Sequence, residues 1–147
     1  MQDNVDGWSK AVSAENANGA SPQAYCLNCF ALVPAERETC PRCEERAALL
    51  SARGYKEKLL HALFHPLAEV RMRAIIALGL RADGDTAPAL VECALRHATD
   101  LVQGLEIVNS LSRLQAGGPC VPALHDLASR HPARAVKQAA LWASRGI

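Results

Sequence analysis

The chain has 147 residues, enough for one domain of ordinary size or for a small domain joined to a very small one. Hydrophobic residues make up 50% of it but aromatic residues only 4%, so small aliphatic side chains dominate and favour packed helices over a sandwich or barrel. With 16 basic and 15 acidic residues, the net charge is +1, and the basic excess usual in nucleic-acid-binding proteins is missing.

The first segment, residues 1–23, is rich in Asn, Gly, Ser, Asp and Ala and shows poor apolar periodicity. This composition is typical of a flexible arm. The segment lacks the basic and then apolar pattern of a signal peptide, and no apolar run in the sequence is long enough to span a bilayer. We therefore expect a cytoplasmic protein that makes no contact with membranes.

Residues 24–45 contain four cysteines in the spacing C-x2-C-x10-C-x2-C: Cys26, Cys29, Cys40 and Cys43. Each C-x-x-C pair predicts a tight turn, or knuckle, that presents two sulfurs on one side, and in a reducing compartment this pattern indicates a metal. Four thiolates complete a tetrahedral zinc shell without an open position, which is a structural arrangement. We expect one Zn²⁺ per chain, while two disulfides, four free thiols or iron in the same ligand set stay open as alternatives.

This segment resembles the minimal zinc-ribbon family. The resemblance rests on Tyr25 before the first pair, Val33-Pro34 in the spacer and the sequence of residues 40–43, Cys-Pro-x-Cys. The glycine that usually follows each second cysteine is replaced by Phe30 and Glu44. Because side chains with a Cβ tolerate positive φ poorly, we expect distorted knuckles around an intact ligand set.

The remainder, residues 46–147, alternates Leu- and Ala-rich helical stretches with Gly, Pro and Asp breakers. The motif His-Pro-x-x-x-Val at residues 65–70 recurs 66 positions later at residues 131–136. The tripeptide Pro-Ala-Leu at residues 88–90 recurs 34 positions later at residues 122–124. A period of about 33 residues with two helices in each unit is typical of an α-solenoid.

Residues 69–79, EVRMRAIIALG, resemble the second helix of a HEAT repeat of the bacterial type also found in phycobilisome lyases, and residues 87–90 resemble the start of the next first helix. The resemblance implies an all-α fold, a short α-solenoid of three HEAT-like helix pairs preceded by the zinc ribbon, and says little about function. The predicted first helices cover roughly residues 55–64, 85–97 and 119–130, and the second helices roughly 67–81, 100–115 and 133–144.

Isolated histidines and cysteines offer little chemistry in this sequence. His61 and His65 stand four residues apart, but no glutamate or third ligand accompanies them, so a structural role is favoured. Cys93 lies in apolar helical sequence and predicts a core residue. Cys120 lies near a helix start, where thiols can become reactive, but no neighbouring base can be identified from the sequence, so a core or loop thiol is favoured.

Two arginines of the first HEAT-like unit are predicted to have different roles. Arg71 is expected to be structural and to pair with Asp83 or Asp85, whereas Arg73 is expected to be free.

No catalytic constellation is present, so the sequence predicts a non-catalytic protein rather than an enzyme. A closed metal site joined to a solenoid favours an adaptor or scaffold that binds another protein, as a small subunit or accessory factor of a larger complex. The alternatives are a nucleic-acid-binding module and a lyase-like accessory protein for cofactor assembly. The candidate partner-binding residues, on the side of the second helices not used for packing, are Met72, Arg73, Ile76, Leu105, Glu106, Asn109, Gln138 and Trp142. Trp142 has a competing interpretation as a hydrophobic cap on the last repeat.

Overall fold

A computed structural model of the chain describes residues 22–114 and 120–146. The described residues are mostly helical, with one small two-stranded sheet. Their contacts divide the chain into two compact units between Glu57 and Lys58, here called the cysteine unit and the helical unit. The predicted flexible arm, residues 1–23, lies outside the described residues except for its last two positions.

The cysteine unit contains a hairpin and a short helix. Strands β1 (Gln23–Tyr25) and β2 (Leu32–Pro34) pair in antiparallel fashion, and helix α1 (Ala47–Ser51) follows the second pair of cysteines. Leu50 of α1 is buried against Cys26 and Cys40. By its packing, α1 therefore belongs with the cysteines.

The six helices that the sequence predicts are present, with ends that differ by at most a few residues, and all but the first three residues of the first one lie in the helical unit. A 3₁₀ turn at Gly84–Thr86 precedes the third of them. The bounds are α2 Tyr55–Ala62, α3 Ala68–Arg81, α4 Ala87–Arg96, α5 Leu101–Arg113, α6 Cys120–Arg130 and α7 Arg134–Arg145.

Local sequence explains where these helices begin and end. The carboxylate of Asp100 caps α5 by accepting a hydrogen bond from the Gln103 backbone N–H at 3.0 Å. Pro88 lies in the first turn of α4, where its missing N–H costs nothing. Helix α3 ends at Arg81, and the capping residue after it, Ala82, adopts the left-handed conformation with φ of 56°.

Alternate helices of the helical unit pack on one another. Helix α3 packs against α5 and α5 against α7, while α4 packs against α6. The core between them is a continuous cluster of mainly Leu, Ile, Val and Ala side chains. Small residues allow close approach, since a Cβ on Gly79 would lie 2.7 Å from Ser110 Oγ and a Cβ on Gly104 would lie 2.9 Å from Val136 Cγ2.

The His-Pro motif that repeats in the sequence also repeats in its hydrogen bonds. His65 Nδ1 accepts a hydrogen bond from the Leu67 backbone N–H at 3.0 Å, and His131 Nδ1 accepts one from the Ala133 backbone N–H at 3.1 Å. Both histidines are buried at the start of the following helix. Their role is therefore to fix the turn that leads into α3 or α7.

Arg71 is buried, and its partners differ from those that the sequence suggested. Its Nε donates to Gln103 Oε1 at 2.7 Å, and its Nη1 donates to the backbone carbonyls of His65 and Pro66 at 2.8 and 2.9 Å. The nearest acidic group is the Asp100 carboxylate, at 4.0 Å. The prediction of Asp83 or Asp85 was wrong because Arg71 points toward α5 across the helix contact; Asp83 pairs instead with Arg81 at 3.0 Å.

The two isolated cysteines are both core residues. Cys93 in α4 and Cys120 at the start of α6 are buried within the hydrophobic cluster of the helical unit. Burial raises the pKa of the Cys93 thiol, which keeps it protonated and unreactive.

Candidate metal centre and binding grooves

The four cysteines of the ribbon converge on one point. Cys26 Sγ lies 3.7 Å from Cys43 Sγ, Cys29 Sγ lies 3.8 Å from Cys40 Sγ, and all four sulfurs lie within 4.8 Å of one another. Four sulfurs about 2.3 Å from a central ion in a tetrahedron are about 3.8 Å apart, whereas disulfide sulfurs are about 2.05 Å apart. None of these cysteines is in a disulfide. Their geometry therefore fits a tetrahedral metal ion.

Backbone N–H groups point at the sulfurs in both knuckles. The Asn28 N–H donates to Cys26 Sγ, and the Arg42 N–H donates to Cys40 Sγ, each at 3.4 Å. These donors offset negative charge on a thiolate, as a four-thiolate site requires.

The residues that replace the two expected glycines adopt the conformation a glycine would take. Phe30 has φ of 57° and Glu44 has φ of 62°. Their backbone N–H groups donate to the carbonyls of Cys26 and Cys40, both at 2.9 Å. The distortion expected from the sequence is absent, since the two knuckles have matching hydrogen bonds. Both residues adopt the left-handed conformation despite the steric strain that their Cβ atoms cause there.

The thiols of the site differ in acidity. Burial raises the pKa of Cys26 to about 11, while a backbone hydrogen bond from Glu45 lowers the pKa of Cys43 to about 6. The pKa of Cys40 is also lowered, chiefly by a hydrogen bond from the Cys43 backbone. A thiol binds a metal only as the thiolate, so any proton that the four sulfurs share before binding must leave when the metal binds. Metal binding therefore releases protons and weakens as the pH falls.

This donor set defines what the site can do. Four thiolates occupy every position of a tetrahedral shell, so no position remains for a water molecule or substrate. A metal bound here would hold the two knuckles together, which is a structural task.

A groove between α5 and α7 brings together four of the eight predicted partner-binding residues. It is open to solvent, has a volume of about 460 Å³ and is here called the α5–α7 groove. The four residues that it unites are Leu105, Asn109, Gln138 and Trp142; the rest of its lining is Val108, Ser112, Ala139 and Ala143. Trp142 is 83% exposed and lies outside the buried core cluster, so it does not cap the last hydrophobic layer.

Two more of the predicted residues lie in a second groove, between α3 and the start of α5. Met72 and Arg73 line it together with Ala68, Glu69, Asp100 and Val102. Ile76 and Glu106 line neither groove. The eight residues therefore lie on two separate grooves and their surroundings.

Sequence reasoning missed two exposed apolar residues, Val102 in the second groove and Leu80 outside both grooves. Val102 and Leu80 are each 71% exposed. The sequence could have indicated the exposure of Val102, because this residue lies in the first turn of α5, two residues after the capping Asp100.

None of the helices among residues 22–114 and 120–146 combines the length and the apolar character that crossing a membrane requires. Comparisons of the chain with protein-family models, with curated proteins and with solved structures found no match.

Proposed function

We propose that this protein is a non-catalytic adaptor in which a structural Zn²⁺ holds the cysteine unit and a short HEAT-like solenoid presents a protein-binding groove. The observation that carries the proposal is the α5–α7 groove, where an 83% exposed Trp142 lies beside the exposed Leu105. Tryptophan is among the residues most enriched at binding hot spots, and an indole beside an apolar groove gains much by being covered.

The packing of the helical unit supports the solenoid. In a solenoid each repeat contacts only its neighbours, so the second helices stack on one another and the first helices do the same. The successive contacts of α3, α5 and α7, and the contact of α4 with α6, follow this rule.

The choice of zinc rests on the donor set. Four thiolates in a closed tetrahedron are the usual shell of structural zinc, and iron is the competing ion for the same ligands. Elemental analysis of freshly purified protein should find about one zinc per chain. Stoichiometric iron, or a metal content below about half an equivalent, would contradict the structural-zinc proposal.

The adaptor proposal is tested by capture from the native host. Tagged wild-type protein, Trp142→Ala and Leu80→Ala are used as baits, and the captured proteins are quantified by mass spectrometry. Leu80 is the matched control because it is also a large exposed apolar residue and it lies outside both grooves. A partner bound at the α5–α7 groove should be retained by Leu80→Ala and lost by Trp142→Ala, which removes about 2 kcal/mol or more of a hot-spot contact.

Thermal unfolding of the three proteins completes this test. Because the indole is mostly exposed, Trp142→Ala should leave the melting temperature close to that of the wild type. Equal capture by all three baits would place the interface outside this groove.

A further inference from the structure

The α5–α7 groove has basic residues beside its apolar lining. We propose that it binds an acidic peptide segment of the partner protein, in which an apolar anchor lies between two carboxylates. This inference rests on the proposed function, since it names the chemistry of the protein that the groove binds.

One face of α7 combines two groove-lining residues with two arginines. Arg134, Gln138, Trp142 and Arg145 follow one another in steps of four, four and three residues, which places them in one row along the helix. Gln138 and Trp142 line the groove, whereas the two arginines do not; each lies about one helical turn beyond them in the same row. At a rise of about 1.5 Å per residue, they are about 16 Å apart along the axis.

The two arginines have no anionic partner in the described part of the chain. Both are exposed, and neither side chain forms an ion pair or a hydrogen bond with another described residue. Helix α7 contains no acidic residue. The face beside Trp142 is therefore electropositive although the whole chain is almost neutral.

Three acidic residues of the neighbouring helices pair with arginines other than Arg134 and Arg145. Glu106 of α5 accepts hydrogen bonds from Asn109 and lies 3.8 Å from Arg113. Glu92 and Asp126, on α4 and α6, both pair with Arg130 at 3.0 Å. These pairs leave the charge of Arg134 and Arg145 to be matched by a ligand.

The lining of the groove favours a peptide over a nucleic acid. Its apolar part is formed by Leu105, Val108, Ala139 and Ala143, and Trp142 is its single aromatic residue. Nucleic-acid grooves combine a dense row of cations with several stacking platforms. Two arginines about 16 Å apart suit two separate carboxylates, which the guanidinium fork binds in bidentate fashion.

The spacing predicts the order of groups in the segment. Along α7, Trp142 is about 4.5 Å from Arg145 and about 12 Å from Arg134. The anchor that covers the indole should therefore have one acidic residue close to it on one side and a second, more distant one on the other side.

The experiment is a selection of random 16-residue peptides displayed on phage against the full chain with its metal bound. Affinities of the enriched peptides are then measured by fluorescence anisotropy at low and at physiological salt. We expect enriched peptides with a large apolar anchor flanked by Asp or Glu, with binding about 30-fold weaker for Trp142→Ala and about 10-fold weaker for Arg134→Glu and for Arg145→Glu.

Arg37→Glu is the matched control, since Arg37 is an exposed arginine of the cysteine unit that lines neither groove. It should change the affinity less than about twofold. Peptides whose acidic residues are replaced by Lys should bind the double variant Arg134→Glu/Arg145→Glu better than they bind the wild type.

Several results would overturn the proposal. They are the absence of any enriched peptide, enrichment of neutral or basic peptides, and an affinity that neither Arg134→Glu nor Arg145→Glu changes. A single-stranded oligonucleotide that binds with the same dependence on Trp142 and both arginines would assign the groove to nucleic acid. A dimer abolished by Trp142→Ala would show that a second copy of the chain occupies it.

The two proposals fail in different ways. If the captured partner is lost with Trp142→Ala but kept with both arginine reversals, the groove binds a protein and only the acidic segment is wrong. If Trp142→Ala captures as much of the partner as the wild type does, the groove itself is not the interface.

Discussion

The two units of this protein are stabilised by different physics. The buried residues that form the core of the cysteine unit are Cys26, Cys40 and Leu50, two of which are candidate metal ligands. The helical unit instead buries a continuous apolar cluster contributed by α2 to α7. A unit whose core consists mostly of its own ligands cannot offset the entropy of folding without a metal, whereas the helical unit can do so by burial alone.

The largest expected effect is the loss of the cysteine unit on replacing one ligand. Cys40→Ser should abolish stoichiometric metal binding, because structural zinc contributes about 10–16 kcal/mol to the folding of such small sites. Backbone NMR signals of residues 22–52 should collapse toward random-coil shifts, while most of the circular dichroism at 222 nm remains.

Cys93→Ala is the control for that experiment. It removes a cysteine from the helical core, so metal content should stay at that of the wild type while the helical unit loses some stability. If Cys40→Ser eliminated all helicity, the helical unit would depend on the cysteine unit for its fold.

The next largest effect belongs to the buried arginine of the helical unit. Arg71→Met removes the donor to Gln103 Oε1 and to two backbone carbonyls. Leaving these buried acceptors without a donor should lower the free energy of unfolding by about 3 kcal/mol in urea titrations. Arg73→Met, on the exposed side of the same helix, should change it by less than about 0.5 kcal/mol. Equal effects of the two substitutions would contradict the role assigned to Arg71.

The difference between these two arginines shows how far sequence reasoning reaches. Ligand spacing and helix ends are local properties, so the four-cysteine cluster and the six helices of the helical unit could be predicted closely. The partners of Arg71 could not, because Asp100 and Gln103 meet it only after α3 has packed on α5. In the same way, residues of α5 and α7 that are far apart in sequence form one groove, while two other predicted residues, Ile76 and Glu106, lie outside both described grooves.

Acid should weaken the helical unit through its buried histidines. Burial lowers the pKa of both His65 and His131 below the ordinary value of 6.5. The unfolded chain therefore binds protons more readily than the folded one, and stability is lost as the pH falls below about 6.5. Each imidazole also accepts a backbone hydrogen bond through Nδ1, which protonation of that nitrogen would eliminate.

The contribution of one histidine can be isolated by comparing how steeply the free energy of unfolding changes with pH in the wild type and in a variant. His131→Asn keeps a side-chain acceptor for the Ala133 N–H but does not titrate. Between pH 7.5 and 5, its free energy of unfolding should fall less steeply than that of the wild type. His125→Asn, at an exposed position of α6, is the control and should keep the wild-type slope. The cysteines contribute equally to all three proteins, so identical slopes for wild type and His131→Asn would contradict the assignment.

The smallest expected effect is a gain in stability, and it separates the two units most sharply. Glu44 in the second knuckle and Ala82 at the end of α3 both have positive φ, at 62° and 56°. The left-handed region costs a residue with a Cβ roughly 1–2 kcal/mol, and glycine removes this strain but adds entropy to the unfolded chain. We expect net gains of about 0.5–1 kcal/mol for Glu44→Gly, whose side chain is exposed, and less for Ala82→Gly, because Ala82 packs against the core.

Glu44→Gly should strengthen zinc binding about two- to fivefold in a chelator competition and leave the urea midpoint of the helical unit unchanged. Ala82→Gly should do the reverse, so a zinc affinity that rises with both substitutions would show that the two units do not fold independently.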